Sequence, residues 1–121
     1  MTVTTSAHIL VVDDDEQILN LLQKYLARSG FTVETASTVE GALDLFRNSR
    51  EPFALVVTDL KLGSANGEEM LEWIRQIQPD VPALISSGYV HMPRAPRTGF
   101  LQKPYLPQQL VDAVKAALGE S

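Results

Sequence analysis

The sequence predicts an α/β fold: a three-layer, doubly wound sheet of five parallel strands with helices on both faces. Short apolar runs alternate with amphipathic stretches along all 121 residues. That alternation produces a parallel sheet covered on both sides. Three of the runs also end in charge: 9–12 in Asp13, Asp14 and Asp15, 53–58 in Asp59, and 99–102 in Lys103 followed by Pro104. The length suits one domain with a core of its own.

Residues 9–12 are apolar without interruption and too few for a helix, so they read as a buried strand. Asp15 stands where it can cap the next helix, whose apolar positions Ile18, Leu19, Leu22, Tyr25 and Leu26 keep helical spacing. Gly30 occupies a usual helix stop. Residues 31–36 alternate like a strand near the sheet's edge. Thr38 caps a second helix with Val39, Ala42, Leu43 and Phe46 inward, and Pro52 closes the loop behind it. The third strand is 53–58. A loop over 60–66 leads to Gly67 and a helix with Met70, Leu71, Ile74 and Ile77 on its inner face. Pro79 and Pro82 bracket the connection to a fourth strand, 83–86, and the fifth is 99–102. The last helix begins near Pro107, a favoured first-turn residue, and buries Leu110, Val111, Val114 and Leu118.

A further helix should cross over between Gly88 and Thr98. Only 89–92 precede Pro93 there, and Pro96 follows. A mean helix needs about 11 residues, and proline breaks helical geometry at and before itself. The fourth helix is therefore predicted to be shortened or missing, with a loop or single turn in its place. The strand order 2-1-3-4-5, flavodoxin-like, sets the first and third strands side by side. Asp13, Asp14 and Asp59 then share the carboxyl edge, where open α/β sheets bind ligands.

Composition excludes several classes. The chain has no cysteine, so disulfides, thiolate metal sites and thiol nucleophiles are absent. Two histidines are too few for a histidine-based metal centre. No apolar stretch approaches the roughly 20 residues of a membrane span, and the polar start lacks the features of a signal peptide. A cytoplasmic location without membrane insertion is expected. A net charge of −5 argues against direct nucleic-acid binding. Residues 8–120 are expected to form one domain, with 1–7 a flexible N-terminal segment.

The charges at the strand ends suit phosphoryl chemistry. A carboxylate such as Asp59 can attack phosphorus and carry the phosphoryl group as a mixed anhydride. Its charge and the donor's need a hard divalent cation, and Mg2+ takes carboxylate, carbonyl and water oxygens. Asp14 and Asp59 are the expected direct ligands, with Asp13 close by or acting through water and the Lys61 carbonyl completing the set. Lys103 supplies positive charge for the phosphoryl oxygens, and Ser87 aims a hydroxyl at the same place. Taken singly, the three aspartates read as a solvated helix cap, Asp59 as a turn residue, Ser87 as a loop hydroxyl, Lys103 as surface charge and Phe100 as edge packing. Acid, acid, hydroxyl and lysine at consecutive strand ends favour a phosphoryl or metal site.

These segments, together with Asn66-Gly67 and Ile85-Ser86-Ser87-Gly88, resemble the receiver domain of bacterial two-component response regulators. The resemblance runs from about His8 onward. It implies that Asp59 accepts a phosphoryl group from a sensor histidine kinase or phosphotransfer protein and passes the signal to an output partner the sequence does not identify. It further implies that Asp13 and Asp14 form the Mg2+ pocket, that Ser87 is the switch hydroxyl, that Lys103 bonds the phosphoryl group, and that Phe100 is the aromatic switch. The Lys103–Pro104 bond resembles one that is cis in the family, and Lys61 and Tyr89 lie near positions that influence hydrolysis of the phosphoryl group. The wording around Ser87 and Phe100 is similar to receivers attached to hybrid sensor kinases, so a stand-alone regulator and such a receiver piece both fit. The main alternative is a small aspartate-nucleophile phosphohydrolase with Asp13 and Asp15 as nucleophile and general acid.

Overall fold

The structure, a computed structural model, describes residues 7–90 and 92–119. Its elements are β1 (His8–Val12), α1 (Glu16–Arg28), β2 (Thr32–Ala36), α2 (Val39–Asn48), β3 (Leu55–Asp59), β4 (Lys61–Leu62), β5 (Ala65–Asn66), α3 (Gly67–Ile77), β6 (Ala83–Ser87), β7 (Thr98–Gln102) and α4 (Pro107–Ala117). Five strands form one parallel sheet ordered β2-β1-β3-β6-β7, which is the predicted 2-1-3-4-5 winding.

Successive strand residues point to opposite faces, and the core divides accordingly. Leu10, Val12, Val56 and Ile85 pack with Phe46, Met70 and Ile74 on the α2 and α3 side. Ile9, Val11, Leu55 and Val57 pack with Leu19, Leu26, Leu110 and Val114 on the α1 and α4 side. Strands buried on both faces account for the uninterrupted apolar runs.

The helix starts follow local chemistry. The Asp15 carboxylate accepts from the Gln17 and Ile18 amides at 2.9 and 3.4 Å. Thr38 accepts from Gly41 N at 3.0 Å, and the unforeseen cap Asn66 accepts from Glu68 N at 2.7 Å. Gly30 takes φ 96° beyond α1, a conformation glycine adopts without strain. At α4, Pro107 opens the helix while the Gln109 amide oxygen accepts from Leu106 N at 2.7 Å.

Three expectations need correction. The third strand begins at Leu55 rather than 53, because Phe53 is buried for packing, stacked on His8 and tilted against Phe46, and not for sheet pairing. The expected loop over 60–66 contains an antiparallel hairpin, β4 with β5. Ile77 is 42% exposed. Gln78 takes the inward position instead, donating its amide to Phe53 O at 2.6 Å. Ala7 is half-buried and its carbonyl accepts from Thr32 N at 3.0 Å. The rest of the expected flexible segment, 1–6, lies outside the described residues, as does His91.

Among the described residues no helix lies between β6 and β7. A single guanidinium joins the starts of those strands. Arg75 of α3 donates Nε and Nη2 to Val81 O at 3.2 and 2.9 Å, Nη1 to Thr98 Oγ1 at 2.9 Å and Nη2 to Arg97 O at 3.3 Å. The chain turns into β7 at Arg97, whose φ is 52° and whose guanidinium meets Asp80 at 3.1 Å. Losing Arg75 would leave the Val81 and Arg97 carbonyls without this donor. Arg75→Ala is therefore expected to lower the stability measured by denaturant unfolding by about 1–3 kcal/mol. Arg75→Lys should recover little of it, since an ammonium cannot reproduce the planar fork; wild-type stability in Arg75→Ala would contradict this.

Candidate functional site

The carboxyl ends of β1, β3 and β7 meet at one edge of the sheet, where Asp13 follows β1, Asp59 ends β3 and Lys103 follows β7. Val12 pairs with Thr58 in register, so Asp13 and Asp59 come next on neighbouring strands. Carboxylate oxygens of Asp13, Asp14 and Asp59 all lie within 4.8 Å of one another. Lys103 Nζ stands 3.0 Å from Asp59 Oδ2 and 3.5 Å from Asp13 Oδ2. Asp13 is buried, Asp59 half-buried and Asp14 exposed.

Backbone groups hold each member. Asp13 Oδ1 accepts from Asp15 N at 2.9 Å, Asp14 Oδ2 from Gly63 N at 3.1 Å, and Asp59 Oδ1 from Lys61 N at 3.4 Å. The Lys103 amide donates to Ser87 O at 2.7 Å, and the Lys103–Pro104 bond is cis, as the resemblance implied. Buried Thr58 donates its hydroxyl to Asp59 O at 2.9 Å. Gly67 lets α3 start directly against β3: a Cβ there would collide with the carbonyl oxygen of Asp59, so only glycine fits.

Burial pushes the Asp13 carboxyl above the usual carboxylate range, against the opposing pull of the Asp15 amide and the Lys103 charge. Burial alone would draw the Lys103 amine down. The hydrogen bond to Asp59 and the charges of Asp13 and Asp59 outweigh it, and the amine sits above the usual lysine range. Lys103 is thus protonated throughout the neutral range. One ammonium among three carboxylates leaves net negative charge, and an oxygen donor set of this kind fits a hard divalent cation.

The structure therefore assembles Asp13, Asp14, Asp59 and Lys103 as predicted. Ser87 ends β6, buried, and its hydroxyl accepts from Tyr89 N at 3.0 Å. Phe100 is half-buried on β7, in register with Ile85. Lys61 opens the hairpin. The ladder bond from Gly67 N to Leu60 O at 2.7 Å makes the Lys61–Asn66 pair a non-hydrogen-bonded one, so the ladder does not use the Lys61 carbonyl. Its ammonium lies 5.4 Å from the Tyr89 ring centroid. Sequence reasoning missed Gly63 and Thr58. No sequence signal links Gly63 to Asp14, which is 49 residues away. Asp15 caps α1, which leaves the phosphohydrolase reading without its general acid.

The model of the response regulator receiver domain matches residues 9–115, and the chain belongs to that family. It is 34% identical to the transcriptional regulatory protein GlrR of Escherichia coli K12, over 95% of this chain and 27% of that protein. It is 29% identical to the sensor kinase CckA of Brucella abortus, over 93% of this chain and 13% of that protein. The chain thus spans a minor part of each of these two curated relatives. A response regulator from Burkholderia pseudomallei, solved with a phosphorylated aspartic acid, a calcium ion and citrate, superposes with TM-score 0.76 at 26% identity. That match covers 94% of this chain and 69% of the other. The chain is a receiver domain of two-component signalling, and none of these likenesses supports a phosphohydrolase.

The raised Asp13 carboxyl has a consequence for stability. The folded state binds its proton more tightly than the unfolded chain does, so without divalent cations stability falls as pH rises from the ordinary carboxylate range through the raised Asp13 value. Asp13→Asn should flatten that slope and stabilise the cation-free protein at neutral pH by on the order of 1 kcal/mol. Urea unfolding in chelator across a pH series tests this; an equally steep slope in Asp13→Asn would contradict it.

Proposed function

We propose that Asp59 is the phospho-acceptor of a phosphorelay and that Asp13, Asp14, Asp59 and the Lys61 carbonyl hold the Mg2+ it requires. The observation carrying this reading is the convergence of three carboxylates within 4.8 Å beside the Lys103 ammonium. The phosphorylated aspartate and divalent ion of the Burkholderia relative point the same way. When bound, Mg2+ would neutralise the carboxylates and the incoming phosphoryl oxygens.

An Asp59 oxygen attacks the phosphorus of a phosphohistidine on a sensor kinase or phosphotransfer protein. The O–P bond forms as the N–P bond breaks, and the imidazole leaves with the electron pair. Lys103 then exchanges part of its contact with Asp59 for the phosphoryl oxygens, steadying charge as it spreads. The Ser87 hydroxyl turns from Tyr89 N to donate to the phosphoryl group. That favours a second arrangement of the 87–90 loop, with Phe100 repacking beside β6 and β7. The domain is proposed to span 8–120 and to work in the cytoplasm, with no nucleic acid of its own and with catalysis limited to its own phosphorylation and dephosphorylation. The resemblance to CckA, a hybrid histidine kinase, supports a place in a hybrid sensor kinase as readily as a separate regulator.

Acetyl phosphate with Mg2+ should add one phosphoryl mass to the intact wild-type chain and none to Asp59→Asn, while Asp15→Asn should still be labelled. Label retained in Asp59→Asn would overturn the assignment. Tyr89, whose ring lies 5.4 Å from the Lys61 ammonium, is proposed to shield the anhydride from water. Tyr89→Ala should shorten the phosphoryl lifetime about threefold or more, less than 1.4 kcal/mol of barrier at the lower figure. An unchanged decay followed by mass would count against that role.

A further inference from the structure

The hairpin β4–β5 sits between the two halves of the acidic site and touches both. Its first residue donates Lys61 N to Asp59 Oδ1 at 3.4 Å, and its turn donates Gly63 N to Asp14 Oδ2 at 3.1 Å. Asp14 lies beyond β1 and Asp59 ends β3, so this short segment spans the cleft that a cation would fill. The hairpin is anchored behind by Gly67 N on Leu60 O at 2.7 Å and by the Asn66 cap of α3.

Asp14 is the exposed carboxylate of the three, and without a partner its side chain would be free to rotate. A carboxylate has about four lone-pair positions, so the Gly63 bond fixes its direction and leaves Oδ1 open. Aiming that amide requires the turn to hold Gly63 at φ 62°. Beyond its chain neighbours no atom lies within 4 Å of a Cβ built there, so the requirement is one of backbone conformation alone.

We infer that the β4–β5 hairpin is a positioning clamp for the divalent cation: through its Gly63 amide it orients the Asp14 carboxylate before the ion arrives. The inference rests on the magnesium reading above. Fixing one carboxylate in advance removes an ordering penalty from binding, which corresponds to about a three- to tenfold gain in affinity. Gly63 is a positioning residue and touches no reacting atom.

Residue choice at 63 separates this from a general effect on folding. Asparagine tolerates the left-handed region, whereas a β-branched valine does not. Calorimetric titration with MgCl2 should give Gly63→Val an affinity about three- to tenfold weaker than wild type and Gly63→Asn one near wild type. In the 15N-labelled wild-type chain, the Gly63 amide signal should move with the same midpoint as those of Asp14 and Asp59. Wild-type affinity in Gly63→Val, or a Gly63 amide that stays still while the others titrate, overturns the clamp and leaves the magnesium site standing. A wild-type chain that binds no Mg2+ overturns the site and the clamp together.

Discussion

The ammonium of Lys103 lies between Asp59 and Asp13, and much of the architecture at this edge of the sheet serves to keep it there. Like charges gathered within a few ångströms destabilise a fold unless something of opposite sign accompanies them. Here the protein supplies one positive charge to three negative ones. The site therefore remains short of positive charge, a deficit that a divalent cation would offset. A fully neutralised cluster would be more stable and would have no reason to take up an ion.

The fold holds this arrangement through backbone more than through side chains. Parallel pairing brings the ends of β1 and β3 together in register. β7 follows beyond β6, and Lys103 N is fastened to Ser87 O. The Asp59 carbonyl is pressed against Gly67, where a larger residue would push α3 away from β3. Amide donors at Asp15, Lys61 and Gly63 each meet one carboxylate, so every acid has a defined direction. The hydroxyl of Ser87, by contrast, is engaged with its own loop. A group held by one local bond can be redirected at little cost, which is what the proposed switch role of Ser87 would require.

Most of this was legible in the chain because its signals are local. Apolar runs gave the strands, Asp15 and Thr38 gave helix starts, and prolines 93 and 96 marked the crossover in which the described residues form no helix. Joint placement of Asp13, Asp14, Asp59 and Lys103 at strand ends marked the site. What escaped depended on distant partners. Phe53 resembles strand sequence but packs its ring on His8 and Phe46, which periodicity cannot distinguish. Ile77 looked inward until Gln78 claimed that position for the Phe53 carbonyl. Arg75, which no sequence signal singled out, becomes the strut that joins the starts of β6 and β7, between which the described residues form no helix. Gly63 gives no sign that its amide serves Asp14.

The charge deficit at the strand ends is the proposition on which the functional reading stands, and the unfolding midpoint of the wild-type chain in increasing MgCl2 reports on it directly. An ion that binds the folded site stabilises it in proportion to the logarithm of its concentration once above the dissociation constant, about 1.4 kcal/mol for each further tenfold. The account predicts a midpoint that climbs steadily with magnesium and does not climb with sodium at matched ionic strength. A midpoint indifferent to magnesium would show that the acidic edge holds no cation, and the phosphoryl chemistry built on it would fall.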